Sequence, residues 1–185
     1  MANNLDLAPE GQMAFSLASL RALDYNGPAI NGQHLVPGIF FSLDPETTNS
    51  ITLESRPGEL MKFRLGVDRP GRWLTLNMSV GAADLSGCKI VGFACKLDSP
   101  TTTTFRVCLR SGAEGGHKDV FFKKSVVSFP KTALHLDVLD LDETTEIPAK
   151  APWREIVVFF QRESAEIVDF HPKLSRFFHR EVSHL

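Results

Sequence analysis

Tryptophan and tyrosine are scarce in this chain of 185 residues, which has two tryptophans and one tyrosine against fourteen phenylalanines. Phenylalanine mainly fills protein cores, whereas exposed tryptophan and tyrosine offer a rigid apolar ring with a polar edge for ligands. The sequence therefore predicts few aromatic platforms on which a ligand could stack. The three candidates are Tyr25, Trp73 and Trp153.

An excess of charge of one sign is also absent. Twenty Lys and Arg oppose twenty-two Asp and Glu, which gives a net charge of -2. A generic nucleic-acid binder would carry a basic excess or a dense basic stripe, so we expect no nucleic-acid partner. No run approaches eighteen apolar residues, so we expect no membrane partner either. Residues 1–11 lack the basic and apolar regions of a secretory signal, which predicts a cytoplasmic protein.

The cysteines are too few and too widely spaced to build a metal or disulfide framework. Cys88, Cys95 and Cys108 form no CxxC pair, which argues against a zinc site. All three lie in or beside strand-like runs, where a free thiol behaves as a small buried hydrophobe. The length fits one domain, which we predict to span residues 1–185, with a core at about 12–178 and short flexible termini.

Alternation of apolar and polar residues dominates the chain and predicts strands with one buried face. It is clearest at 61–67, 73–80, 105–110 and 134–138, and more continuous apolar runs lie at 38–43, 89–97, 120–129 and 156–160. Turn residues separate these runs at even spacing. The pattern predicts an all-β fold, an antiparallel jelly-roll β-sandwich of about nine to ten strands. Little helix is expected, at 16–23 and 172–180.

Several strands of the second half open in a similar way, with an aromatic residue or threonines before the alternation. These are residues 72–80, 103–110 and 152–160, followed by a closing strand at 165–170. In this respect the stretch 72–170 resembles the jelly-roll sandwich of carbohydrate-binding modules and galactose-binding-like domains. The resemblance implies a non-catalytic domain that binds a glycan on a sheet face.

The outward positions of the predicted strands supply a candidate binding face. Arginine makes paired hydrogen bonds to carboxylates, sulfates or vicinal hydroxyls, aspartate orients hydroxyls, and an aromatic ring stacks on a sugar. Alternatively, these side chains are ordinary solvent-facing positions that pair across the strands. The predicted ligand-binding residues are Arg64, Trp73, Asn77, Arg106, Arg110 and Asp137, with Lys62 and His135 on the same face.

Two other functions fit the sequence. A structural or assembly module would bind another protein through a sheet face or edge, which would explain the shortage of tryptophan and tyrosine. A small non-haem iron oxygenase could use the H-x-D pair His135 and Asp137, which share one side of a strand, with His171 or His179 as the third ligand. Only about fifty residues follow that pair, which leaves little chain for the rest of such an enzyme.

No catalytic motif and no cofactor-binding motif is found in the sequence. The acidic run from Asp137 through Glu146 could hold a structural calcium ion, although such a run more often forms a solvated loop. We therefore predict no catalytic residue, no metal ligand and no cofactor other than that calcium ion. The predicted partner is a glycan or polysaccharide, with another protein as the alternative.

Overall fold

Alternating apolar residues form antiparallel strands throughout this protein, as the period-two pattern predicts. The computed structural model describes residues 9–58, 61–161 and 165–178. One helix precedes the strands, α1 (Pro9–Ala22). The strands are β1 (Tyr25–Pro28), β2 (His34–Val36), β3 (Ile39–Leu43), β4 (Ser50–Ser55), β5 (Met61–Gly66), β6 (Leu74–Gly81), β7 (Cys88–Asp98), β8 (Thr103–Ala113), β9 (Gly116–Phe121), β10 (Val126–Ser128), β11 (Ala133–Asp140), β12 (Arg154–Phe160) and β13 (Ala165–Phe178).

The strands form two antiparallel sheets that face each other. The six-stranded sheet has the order β1-β4-β5-β13-β7-β11. The seven-stranded sheet has the order β10-β8-β12-β6-β3-β2, and β9 pairs with β8. Neighbours in a sheet are often distant in the chain: β12 lies between β6 and β8. The all-β sandwich predicted from the sequence is confirmed.

The core between the sheets is rich in phenylalanine. Phe63 lies at its centre, with ring centroids 5.3 Å from Phe41 and 5.3 Å from Phe160 in edge-on contacts. Phe105 continues the cluster, 5.5 Å from Phe160 and 6.1 Å from Phe170. Edge-to-face ring pairs add about 0.5–1.5 kcal/mol each to the burial of apolar area. Seven phenylalanines of the described part belong to this core.

Helix α1 packs against β6 of the seven-stranded sheet and β13 of the six-stranded sheet. Met13 and Leu20 are buried, with Leu17 packed partly against the core, and their spacing places them on one side of a helix. Two serines fasten the helix to the strands: Ser16 donates to the Pro37 carbonyl at 2.8 Å, and Ser55 donates to the Leu20 carbonyl at 3.2 Å. No helix of the described part is long and apolar enough to cross a bilayer.

Three sequence predictions differ from the structure. Among the described residues thirteen strands form where nine to ten were expected, because strands of only three residues such as β2 and β10 are too short to show a periodic pattern. The apolar run 120–129 is broken, since β9 ends at Phe121 and β10 begins at Val126. The terminal helix predicted at 172–180 is wrong as far as Phe178, where the chain is strand β13, paired with β5 and β7; residues 179 and 180 lie outside the described residues. The other predicted helix, at 16–23, forms but begins earlier, as α1.

A buried carboxylate joins the end of β3 to the start of β6. Asp44 accepts hydrogen bonds from the backbone N–H of Arg72 at 2.8 Å, from Arg72 Nε at 3.2 Å and from the backbone N–H of Glu46 at 3.1 Å. The hydrogen bond from the Arg72 backbone, then that from its side chain, lowers the pKa of Asp44 from 3.8 to about 2. The folded protein therefore favours the ionised form of this residue.

We expect Asp44 to make the stability of the fold depend on acid pH. Because its pKa is lower in the folded protein than in the unfolded chain, its contribution is fully present above about pH 4 and is lost as the pH falls towards 2. The Asp44→Asn variant should be less stable than wild type at neutral pH and should lose less stability between pH 4 and 2. Urea unfolding at each pH measures this, with Asp142→Asn, at an exposed carboxylate, as the control. Parallel pH curves for wild type and Asp44→Asn would contradict the expectation.

Candidate functional site

The outer side of the seven-stranded sheet carries aromatic rings, arginines and carboxylates. On β12, Ile156, Val158 and Phe160 belong to the core, so the alternate positions face outward. We call this surface the aromatic face. Its members are Phe40, Ser42, Trp73, Thr75, Asn77, Arg106, Cys108, Arg110, Asp119, Phe121, Trp153, Glu155, Val157 and Phe159.

The middle of the aromatic face is a row of small residues between two phenylalanines. Strand register places Phe40, Asn77, Val157, Cys108 and Phe121 side by side on five neighbouring strands. Val157 and Cys108 are fully buried although they point away from the core cluster. The larger side chains beside them therefore close over the small ones. The row is a packed floor, and its two phenylalanines are half-buried.

Two arginines lie against the rings at the β8–β9 side of the face. The Arg106 guanidinium carbon lies 4.0 Å from the centre of the Phe121 ring, and the Phe121 and Phe159 rings are 5.3 Å apart. Arg110 makes a two-pronged ion pair with Asp119, with both N–O distances at 2.7 Å. This hydrogen bonding raises the pKa of Arg110. Each arginine is thus held in one orientation by an aromatic ring or a carboxylate.

Glu155 occupies the row of Arg110 and Asp119. Burial raises the pKa of its carboxyl, and the positive charge of Arg110 acts in the opposite direction. The face therefore offers both hydrogen-bond acceptors and donors to a ligand. A buried thiol lies below them: burial raises the pKa of Cys108 to about 12, so this thiol stays protonated and is a poor nucleophile.

Trp153 lies flat on the backbone at one end of the aromatic face. A Cβ atom added at Gly112 would lie 2.6 Å from the indole Nε1, 2.7 Å from Cε2 and 2.8 Å from Cδ1. Three similar distances show that the ring covers this glycine face-on. The Gly112 N–H also donates to the Trp153 carbonyl at 2.9 Å. Trp153 remains 38% exposed, and the ring centroid of His117 lies 6.4 Å from that of the indole, so part of the indole surface is accessible to a ligand.

The residue after this platform, Arg154, is buried completely and points to the opposite side of β12. Its Nε donates to the Ala83 carbonyl at 2.9 Å, and Nη1 donates to the Ser111 hydroxyl. Its Nη2 donates to the carbonyls of Pro148 and Ala149. Burial lowers the pKa of this guanidinium. Arg154 therefore joins the β6–β7 and β11–β12 connections beneath the end of the face where Trp153 lies.

Trp73 lies towards the other end of the strands. Its Nε1 donates to the Ser42 hydroxyl at 3.1 Å, and the Arg72 guanidinium carbon lies 5.1 Å from the ring centre. The ring is half-buried. Trp73 is therefore part of the aromatic face, but its polar edge and part of its ring already have partners.

Four of the six predicted ligand-binding residues lie together on this face, namely Trp73, Asn77, Arg106 and Arg110. Asn77 is 1% exposed and donates to Thr75 Oγ1, so it supports the floor and does not reach a ligand. The other two residues, Arg64 and Asp137, lie in the six-stranded sheet. The polar sides of neighbouring strands therefore do not all coincide, because the strands belong to two sheets.

Arg64 lines a different, polar cleft on the outside of the six-stranded sheet. The cleft has a volume of about 140 Å³, and Lys62 and Glu54 contribute to its lining. Asp137 is turned towards the interior, in phase with the core residue Leu139. Its carboxylate accepts from the backbone N–H groups of Lys124 and Val138 at 2.6 and 2.8 Å. The Asp137 carboxylate therefore anchors the loop before β10 through its hydrogen bond with the Lys124 N–H.

The predicted metal sites receive no support from the residues described. His135 and Asp137 share the inner side of β11, and Asp137 already accepts two backbone hydrogen bonds. The side chain of His171 and the whole of His179 lie outside the described residues. Within the described ranges, no three His, Cys, Asp or Glu side chains converge as metal ligands do. In the acidic run, Asp142 and Glu143 pair with Lys89 and Lys123.

Sequence reasoning left Trp153, Asp119 and Glu155 out of the site. In the sequence, Trp153 is one of three candidate platforms but is not among the predicted ligand-binding residues. The signal that places it outward is its phase with Glu155, Val157 and Phe159, opposite to the core phase of Ile156. The partner glycine, Gly112, lies in another strand, and only the register between β8 and β12 brings the two together.

The solved structures with a similar fold include carbohydrate-binding modules. A family 4 module, CBM4, superposes with a TM-score of 0.56 over 80% of this chain and 94% of its own, at 13% identity. The family 11 module from Clostridium thermocellum, in complex with a β-1,3-1,4-mixed-linked tetrasaccharide, gives 0.52 over 85% and 99%, at 9% identity. The chain has the jelly-roll fold of a carbohydrate-binding module. No protein-family model matches it, and no curated protein matches it by sequence.

Proposed function

We propose that this jelly-roll domain is a non-catalytic glycan-binding domain and that the aromatic face is its binding surface. The observation that carries the proposal is the Trp153 indole, which lies flat on Gly112 and remains 38% exposed. A sugar ring presents an apolar face of C–H groups that stacks on such a surface. Arg110, Asp119 and Glu155 lie in the next row of the same face.

The neighbouring groups suit a ligand rich in hydroxyls. The ion pair of Arg110 with Asp119 and the ring contact of Arg106 hold both arginines in place before a ligand arrives. Such preorganisation reduces the entropy lost on binding. The family 11 module is in complex with a β-1,3-1,4-mixed-linked tetrasaccharide, so mixed-linked polysaccharides are the first class to test.

The test is binding of the purified full-length chain to a glycan array that includes mixed-linked β-glucan, xylan and acidic polysaccharides, followed by calorimetry on any class that binds. Reproducible binding to one class, weakened by Trp153→Ala and unchanged by Phe15→Ala, would support the proposal. Phe15 is a matched control because it is an exposed aromatic residue that lies on α1 and not on a strand of the aromatic face. An array with no binding would argue against it.

The alternative, an assembly module, has one specific observation in its favour. Five exposed large apolar residues of the described part lie close together in the chain: Val127, Phe129, Leu134, Leu136 and Val138. The last three share the outer side of β11, an edge strand whose partner among the described strands is β7. Contiguous exposed apolar residues often mark interaction sites, and such a stripe is complementary to its own copy about a two-fold axis.

If this stripe mediates self-association, the full-length chain should form a dimer at micromolar concentration. The Leu136→Lys variant should weaken that dimer by about tenfold or more, because it places a charge in the contact. Sedimentation velocity across a concentration series measures the effect, and Ile30→Lys, at another exposed apolar residue, is the control. A wild-type chain that stays monomeric throughout the series would rule out this assembly.

A further inference from the structure

A small cleft opens beside the aromatic face, between the edge strands β1 and β2 of the two sheets. Its volume is about 130 Å³, several times the roughly 30 Å³ that one water molecule occupies in the liquid. Two polar residues, Gln33 and His34, contribute to its wall. The remaining lining is apolar or aromatic: Leu23, Tyr25, Pro28, Ile30 and Leu35.

The walls of this side cleft are held by hydrogen bonds. The Asn31 side chain accepts from the Leu43 N–H at 2.9 Å and donates to the Leu43 carbonyl at 3.0 Å. These two bonds fix the turn that carries Ile30 against β3, and the Gln33 N–H donates to the Ile30 carbonyl at 3.0 Å. On the facing wall, the Tyr25 hydroxyl donates to the Pro28 carbonyl at 2.7 Å. The cleft is therefore formed before any ligand binds.

The side cleft and the aromatic face share a wall. His34 lines the cleft, and its ring centroid lies 4.8 Å from that of Phe40, the phenylalanine at the β3 end of the floor row. A ligand that extends across the aromatic face towards β2 would therefore meet the opening of the cleft.

The polar groups of the cleft offer hydrogen-bond donors. The Gly38 N–H donates to His34 Nδ1 at 3.1 Å, so the neutral imidazole carries its proton on Nε2. Gln33 adds an amide that can donate. An occupant with a carbonyl oxygen and a short apolar end would accept these hydrogen bonds and bury its carbon atoms between Leu35 and Ile30.

We propose that the side cleft binds an acyl ester group, such as an O-acetyl substituent, of a glycan on the aromatic face. This proposal rests on the proposed glycan-binding function. An ester supplies both features that the walls require, a carbonyl acceptor and an apolar methyl group. A free hydroxyl would leave the apolar walls against a polar group. The ligand class is therefore a substituted polysaccharide.

The test compares partially O-acetylated xylan and O-acetylated mixed-linked β-glucan with the same polymers after alkaline deacetylation. We expect wild type to bind an acetylated form about tenfold more tightly, as small apolar groups in a pocket typically allow. Ile30 is 60% exposed. The Ile30→Asp variant should bind the acetylated and deacetylated forms about equally, with its affinity for the deacetylated form unchanged. Phe15→Asp should keep the preference.

Equal binding of both forms by wild type would overturn the side-cleft proposal and leave glycan binding intact. If none of the four polymers binds, NMR titration with methyl 6-O-acetyl-β-glucoside at millimolar concentration decides the question for the cleft alone. Shifts at the Ile30 methyl and His34 imidazole signals, absent with the non-acetylated glucoside, would support an acyl site. Unshifted signals would overturn it.

Discussion

Replacement of Arg154 by methionine is expected to lower the free energy of unfolding by about 2–5 kcal/mol, because buried groups that accept hydrogen bonds from its guanidinium would lose their donor. The buried Ala83 carbonyl and Ser111 hydroxyl would lose this donor, as would the partly buried Pro148 carbonyl, whereas the Ala149 carbonyl keeps the hydrogen bond from the Leu85 N–H. Each unsatisfied buried acceptor costs about 1–3 kcal/mol. Since domains of this kind are stable by about 5–15 kcal/mol, the variant should unfold at a much lower urea concentration.

Urea unfolding followed by circular dichroism measures this loss. Arg56→Met is the matched control, since Arg56 is exposed and pairs with Glu54 at the surface, and it should change stability by no more than about 0.5 kcal/mol. Arg154→Lys keeps the charge but has a compact ammonium group, which cannot spread its donors over all four acceptors. We therefore expect it to lie between wild type and Arg154→Met. An Arg154→Met protein as stable as wild type would show that these hydrogen bonds contribute little.

Removal of the Trp153 platform is expected to cost the largest part of the glycan affinity. Truncation of a central aromatic contact typically costs about 2 kcal/mol or more, which is roughly a 30-fold loss in affinity. The Gly112→Val variant should reproduce this loss although Trp153 itself is not replaced. Its Cβ would lie 2.6–2.8 Å from three indole atoms, so the ring must leave its position on the sheet.

A double-mutant cycle tests whether the two residues act as one unit. Gly112→Val should reduce binding to the level of Trp153→Ala, and the double variant should lose no more. In a Trp73→Phe background, the fluorescence of Trp153 reports directly on the displaced ring. Gly116→Ala is the matched control in the same hairpin, because no atom lies within 4 Å of the Cβ that it adds. Full binding by Gly112→Val would show that the flat placement of the indole is not what the glycan requires.

The side-chain pattern predicts the buried faces of most strands, and it identifies the members of the aromatic face only in part. Arg106 and Arg110 were placed outward from the alternation of β8 alone, and both lie on the aromatic face. Arg64 fits the same pattern equally well but lies in the other sheet. The alternation within one strand predicts which residues share a side of that strand. It does not predict which strands are neighbours in a sheet.

Asp137 shows a second limit of the pattern. In residues 134–138, leucine and valine alternate with histidine and aspartate, and the ordinary interpretation turns the apolar residues inward. The structure turns Asp137 inward, where the backbone of Lys124 satisfies it, and leaves Leu134 and Leu136 exposed. The pairing of β11 with β7 and its contact with the segment before β10 decided the orientation.

The sequence by itself determined the all-β sandwich, the phenylalanine core and the shortage of stacking platforms, because these follow from composition and from a local period of two residues. Tertiary structure alone decided the strand order, the floor between Phe40 and Phe121, and the placement of Trp153 on Gly112. Those features depend on pairing between strands that are distant in the chain, such as β8 with β12. That pairing is set by how the two sheets bury their apolar faces together, which no single segment encodes.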